Sequence, residues 1–256
     1  MNNFVFFQKL PVGNTEDCLT LNLVVPKKHF DAQSGFGKKP DPLPIFLWIH
    51  GGGFYNGGTA WTIYNGTVMA AHQNVIFVAI QYRLGALGLA YLGTEDAPGN
   101  QGMWDQLEAI KWVYNNVAQF GGDPDKITIA GESAGAASVA LHLLSPHSKP
   151  YIHQAVIESG SALSEWATNS KEEALERTEK LISRISRVSG PLFKCRNMEN
   201  ATRVDKIRCI TKASQHSAVC ANATKATGTA EEKLECLEGA TVEDLLRYQH
   251  FTIDFV

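Results

Sequence analysis

The chain has 256 residues, 44% hydrophobic and 19% charged, which is ample apolar material for a sizeable core. Its formal net charge of −3 does not imply a nucleic-acid partner, and none is expected. No apolar run approaches the roughly 20 residues that cross a bilayer, so no transmembrane segment is expected.

The opening "MNNFVFFQKLPVG" has an apolar block of four residues, short of the roughly 7–15 that a secretory leader needs. "LTLNLVV" (19–25) alternates as a strand does, with Leu19, Leu21, Leu23 and Val25 on one face. A Gly/Pro/Lys stretch at 31–44 reads as a surface loop. "IFLWIH" (45–50) and "VIFVAIQY" (75–82) are continuous apolar runs, the pattern of strands buried on both faces of a mainly parallel sheet. Met103, Leu107, Ile110, Tyr114 and Val117 then recur at helical spacing. Gly-Gly-Asp-Pro (121–124) predicts a turn, and "KITIAG" (126–131) a short strand. A helix follows Ser133 to about Leu144, "QAVIES" (154–159) is a further strand, and 170–187 reads as an exposed, charge-laced helix. Strands alternating with helices imply an α/β fold with a parallel sheet covered on both faces.

Beyond that helix the chain is polar, and basic residues outnumber acidic ones seven to two between Arg187 and Lys212, as in a solvated insertion or a binding patch. Four of the five cysteines (Cys195, Cys209, Cys220, Cys236) crowd into this region, a segment that gains from cross-links. Cys18 stands apart, as a free thiol or one whose partner is missing. Zinc is not expected, because there is no Cys-x-x-Cys pair and His216 is poorly spaced. Acceptor sequons begin at Asn65, Asn200 and Asn222, and they point with the cysteines to the secretory route.

Two motifs carry chemistry. In "KITIAGESAGAAS", Ser133 sits between Gly131 and Gly135 at a strand-to-helix junction. Such a turn exposes the hydroxyl, and the glycines keep side chains away from strand and helix. The helix start adds unpaired N–H groups and a positive dipole end. The second motif, 50-HGGGF-54, closes a strand with three glycines whose N–H groups can approach a ligand unhindered. Acyl transfer needs such donors, aimed at the oxygen that becomes negative. A plain turn and a flexible glycine loop are the alternatives to each motif taken singly. Neither motif calls for a cofactor.

These motifs, with "EDCLTLNLVVP" (16–26), "YRLGALGLAYLG" (82–93), "APGNQGMWDQLEAIKWV" (97–113) and "HLLSPHSKPYIHQAVIESGSA" (142–162), resemble the type-B carboxylesterase/cholinesterase family of α/β-hydrolases. The blocks keep the family's order over most of residues 16–166, so the whole chain (1–256) reads as a partial domain with a cysteine-bearing variable segment at about 187–236. The resemblance implies an α/β-hydrolase fold whose C-terminal half is absent, and a carboxylic ester hydrolase as the full-length parent, acting on a small-molecule ester. It implies Ser133 as nucleophile and the N–H groups of Gly52, Gly53 and Ala134 as oxyanion hole. It places Glu132 near the catalytic histidine, Trp166 at the acyl pocket, and Tyr55 and Tyr64 along the gorge. Each of these four also fits a plainer role: Trp166 as a core aromatic, the tyrosines as scaffold, Glu132 as a charge favoured at a helix start. The resemblance further implies a Cys220–Cys236 disulfide and a secreted or extracellular membrane-anchored parent; Cys195 and Cys209 fall in an added segment and can pair with each other.

Family members follow the order Ser…Glu/Asp…His, with acid and base farther past the serine than this chain extends. The expectation is therefore that this chain lacks both. None of His29, His50, His72, His142, His147, His153, His216 or His250 is expected to serve as base. Gln8 stands where cholinesterases place a tryptophan that stacks on choline, so choline is not specified as the alcohol. A non-catalytic adhesion protein on the same fold is the alternative, although such members typically lose the serine kept here.

Overall fold

A computed structural model describes residues 17–35, 39–95, 97–188 and 229. Gln8, the four clustered cysteines, Asn200, Asn222, His216 and His250 lie outside the described residues. In chain order the elements are β1 (Leu21–Val24), α1 (Lys27–Ser34), β2 (Leu43–Ile49), α2 (Thr67–Gln73), β3 (Ile76–Ile80), α3 (Gly85–Leu89), α4 (Gln101–Asn116), β4 (Gly122–Glu132), α5 (Ala134–Leu144), β5 (Gln154–Glu158) and α6 (Lys171–Val188). Two compact units result: Met1–Leu84 with Gly102–Thr168, and Gly85–Gln101 with Asn169–Val256.

The first unit holds a sheet of order β1-β3-β2-β4-β5. Its pairings are parallel except for β1, which runs antiparallel to β3. Alternation along β2 sorts its side chains to two faces. Leu43, Ile45, Leu47 and Ile49 join Ile76, Val78, Ile80, Ile127 and Ile129 in one core, packed with Ile110 and Val113 of α4 and Val139 of α5. Phe46 and Trp48 point the other way, to Phe77, Ala79 and α2's Ala70 and Met69. Helices therefore cover both faces, which is why the strands read as unbroken apolar runs. Each fully buried Ile or Leu here contributes about 1.5–3 kcal/mol of burial free energy.

The second unit contains α3, a bridge between Tyr91 and Pro98, and α6. A capping box opens α6: the Ser170 N–H donates to Glu173 Oε2 at 2.8 Å, and the Glu173 N–H to Ser170 Oγ at 3.2 Å. The Tyr91 N–H donates to Thr178 Oγ1 at 3.0 Å.

Three sequence expectations need correction. Part of the 31–44 loop is helical, because α1 extends to Ser34 on a Lys27–Asp31 pair one turn apart. Within α1, His29 is buried and bonds the Gly121 carbonyl at 2.9 Å. The turn at 121–124 is confined to Gly121, whose φ is +79°, and β4 starts at Gly122 opposite Leu43. The next pair is Ile45 with Ile127, so residues 123–126 bulge inside the strand. The charge-laced α6 is not exposed all round, since Thr178, Leu181 and Ile182 are buried.

Polar side chains tie α5 to α4 inside the apolar core. The Ser138 hydroxyl donates to the Ala134 carbonyl at 2.9 Å, and Gln106 Nε2 donates to Ser138 Oγ at 3.2 Å. His142 bonds Gln106 Oε1 through Nε2 at 3.0 Å and Ser148 Oγ through Nδ1 at 2.7 Å. One proton arrangement satisfies the whole chain: Ser148 donates to a neutral His142, His142 to Gln106, Gln106 to Ser138, Ser138 to Ala134.

Burial pushes the His142 pKa down to about 4. The unfolded chain, with histidine near 6.5, binds the proton first, so the stability linked to this group is complete above about pH 6.5 and is lost as pH falls towards 4. Denaturant unfolding should give a protein less stable at pH 5 than at pH 7, with about 2 kcal/mol of the loss due to this group. That share should be missing in His142→Asn. An equal loss in the variant would show that the protonation lies elsewhere.

Candidate active site

The junction of β4 and α5 forces Ser133 into an unusual backbone. Its φ is +55° and ψ −118°, a region that a residue with a Cβ rarely enters. Several contacts hold it there. The Ser133 N–H donates to the Glu158 carbonyl at the end of β5 (2.9 Å), and its carbonyl accepts from the Ala137 N–H (2.9 Å). Close packing fixes the turn on its other sides. A Cβ on Gly131 would lie 2.5 Å from the Gly135 carbonyl carbon, and one on Gly135 would collide with the Ile49 carbonyl oxygen. The helix thus crosses directly over the end of β2, which only a residue without a side chain permits.

The glycine loop leaves β2 at the same edge. A Cβ on Gly51 would stand 2.5 Å from the Glu132 carbonyl oxygen and 3.2 Å from Ser133 Cβ, so the loop starts against the serine. Gly52 and Gly53 take φ of +113° and +61°. The Gly52 carbonyl is spent on a turn, accepting from the N–H groups of Tyr55 (3.1 Å) and Asn56 (3.0 Å). Among the described residues, no acceptor meets the N–H of Gly52, Gly53 or Ala134. Buried His50 anchors the loop: its ring stacks on Tyr82 (4.5 Å), and the Tyr82 hydroxyl donates to the His50 carbonyl at 2.7 Å. Burial lowers the His50 pKa and raises that of Tyr82, so both stay neutral at pH 7. Tyr82 was not singled out in the sequence, where it reads only as the end of an apolar strand.

The remaining expected site residues divide. Glu132 ends β4, exposed, paired in register with Glu158. Tyr64 lies between Trp48 (5.6 Å) and Trp61 (5.9 Å, nearly parallel), and its pKa is raised by burial and then by the Glu132 charge. Tyr55 folds its ring over Gly53 of its own loop. Trp166 is 50% exposed in the turns after β5 and is no core aromatic. Ser133, Glu132, Ala134 and the glycine loop therefore meet, with Tyr64 near Glu132, while Trp166 makes no hydrogen bond or ring contact among the described residues.

The carboxylesterase family model matches residues 2–236. The chain belongs to the carboxylesterase family. It is 48% identical to acetylcholinesterase 1 of Caenorhabditis elegans over 166 residues, 64% of this chain and 25% of that protein. It is 48% identical to the cholinesterase of Mus musculus over 165 residues, 64% of this chain and 26% of that one. Acetylcholinesterase of Gallus gallus is 47% identical over 168 residues, 65% and 21% of the two chains. The chain thus spans about a quarter of the length of these curated relatives. Sheet order, covering helices and family membership agree on the α/β-hydrolase fold.

Within this family frame, five of the six described histidines are engaged away from Ser133. His29 bonds Gly121, His50 bonds the Gly51 carbonyl, and His142 bonds Gln106 and Ser148. His147 packs on Trp104 at 5.5 Å, and His153 Nδ1 accepts from the Ile127 N–H at 3.4 Å. His72 is exposed in the last turn of α2. Among the described residues, no imidazole is hydrogen-bonded to Ser133.

The packing at Gly135 yields a stability test. Gly135→Ala should lower the unfolding free energy by about 1–3 kcal/mol, because the new methyl meets strand backbone. Gly35→Ala, where the nearest atom would be 3.4 Å away, should change it by less than about 0.5 kcal/mol. Thermal or denaturant unfolding of both variants measures the contrast.

Proposed function

We propose that the whole protein is a serine carboxylic-ester hydrolase working through an acyl-enzyme. The observation that carries this reading is the strained Ser133, held at positive φ where β4 meets α5, beside a glycine loop with unpartnered N–H groups. In the reaction, Ser133 Oγ attacks the ester carbonyl carbon and passes its proton to an imidazole. The carbonyl oxygen, now negative, rests on the N–H groups of Gly52, Gly53 and Ala134. The tetrahedral intermediate collapses, the alcohol leaves with the proton, and water repeats the sequence to free the acid. On this reading the imidazole and its carboxylate partner come from outside the described residues, since no described imidazole is hydrogen-bonded to Ser133.

Relatives named acetylcholinesterase support an ester with a small acyl group. Tyr64, Tyr55 and Glu132 then line the approach, and Trp166 bounds the acyl side once neighbouring chain packs on it. The sequons and clustered cysteines support a secreted or extracellular glycoprotein, and the family resemblance implies a Cys220–Cys236 disulfide and allows a membrane anchor.

An organophosphate tests the reading. In the whole protein it should label Ser133 stoichiometrically, and Ser133→Ala should lose the label together with at least about 10⁴-fold of kcat/KM on an aryl ester. Full turnover in the variant, or labelling at another residue, would overturn it. The 256-residue chain by itself should label far more slowly than the whole protein; equally rapid labelling would place the base within this chain.

A further inference from the structure

We infer that Asn65 carries an N-linked oligosaccharide that covers the apolar side chains flanking it. The inference rests on the secretory reading above and concerns a site that ester hydrolysis does not use. Asn65-Gly66-Thr67 has the acceptor pattern. Transfer takes place on the unfolded chain, so what the fold must do is leave room for the product.

The fold leaves that room. Asn65 and Thr67 are exposed, between the short turn Thr62–Tyr64 and α2. The turn sends its aromatic ring inward, Tyr64 being stacked with Trp61 and packed on Trp48, so the asparagine that follows faces out. The two ends of the Asn65 amide have different fates. Its Oδ1 accepts from the Thr67 N–H at 3.0 Å and from the Thr67 hydroxyl at 2.5 Å. Its Nδ2 donates to nothing among the described residues. A sugar on Nδ2 therefore breaks no hydrogen bond of the fold.

Helix geometry by itself does not account for asparagine here. Aspartate would make the same turn and add a favourable charge at the start of α2. The amide nitrogen is the one feature aspartate lacks, and it is the atom a sugar takes. On either side, Ile63 is 78% and Val68 69% exposed, surface that the proximal sugars would shield from water and from other chains. Gly66 needs no separate explanation, because a Cβ there would collide with the Phe77 ring.

In the transfer step, Asn65 Nδ2 bonds to the anomeric carbon of an oligosaccharide carried on a lipid pyrophosphate. The bond from that carbon to the pyrophosphate oxygen breaks, the lipid pyrophosphate leaves with the electron pair, and the amide gives up one proton. Nothing is oxidised or reduced.

The test is peptide mass spectrometry of the protein made in eukaryotic cells, before and after a glycan-releasing amidase in heavy-oxygen water. The expected result is a glycopeptide at Asn65 whose residue 65 becomes heavy-oxygen aspartate only with amidase. A digest without amidase identifies spontaneous deamidation at this Asn-Gly pair. In an Asn200→Gln, Asn222→Gln background, one glycan should remain; Thr67→Ser should keep it and Thr67→Ala should remove it. Sugar at Asn200 or Asn222 with a bare Asn65 would overturn this inference and leave the secretory reading standing. A protein without sugar anywhere would overturn both.

Discussion

The structure turns on one close approach, that of the first turn of α5 to the end of β2. Gly135 lies so near the Ile49 carbonyl that a methyl group has no room, and Gly131 lies against Gly135 in the same way. With both faces of the sheet filled by helices, the chain leaving β4 must reverse within one residue to lay α5 across the core. Ser133 is that residue, and its positive φ is the geometric consequence. Such a conformation costs of order 1–3 kcal/mol and persists only where its surroundings over-determine it.

Those surroundings come from three directions. From below, parallel pairing of β4 with β2 and β5 sets the height of the serine, and the bond from its N–H to Glu158 locks it to the neighbouring strand. From behind, the proton chain through Ser138, Gln106, His142 and Ser148 grips α5 within the core. From the side, His50 and Tyr82 clamp the start of the glycine loop. The network depends on the His142 imidazole staying neutral, which the surrounding apolar core enforces by desolvation; burial lowers the pKa of His50 in the same way.

This architecture was partly legible in the sequence, and the reasons differ by element. β2 and β3 announce themselves because burial on both faces demands unbroken apolar runs, and α4 because its buried face recurs at helical spacing. The Gly-x-Ser-x-Gly elbow and the triple glycine are legible because close backbone approach removes every alternative residue. α1 was missed: its polar residues carry little periodicity, and its one buried anchor, His29, acts through a carbonyl 92 residues away. The start of β4 was missed because Gly-Gly-Asp-Pro looks like a turn, and only the pairing of Gly122 with Leu43 makes it a strand. The Tyr82–His50 clamp spans 32 residues and leaves no local pattern at all. Local chemistry is readable; contacts distant in sequence are set by tertiary packing.

Glu132 links the elbow to its aromatic neighbourhood. It sits at the last position of β4, two residues before the start of α5, where the unpaired N–H groups of the helix favour a negative charge. Burial first, and then the same charge, hold the Tyr64 phenol more firmly protonated beside Trp48 and Trp61. A carboxylate beside the serine works against a second negative charge there unless donors point at it, and the N–H groups of the glycine loop and of Ala134 are the donors within the described residues. In the proposed reaction the two parts would complement each other: the Glu132 carboxylate would favour positive charge nearby, such as a protonated imidazole, while the backbone amides would receive the negative oxygen.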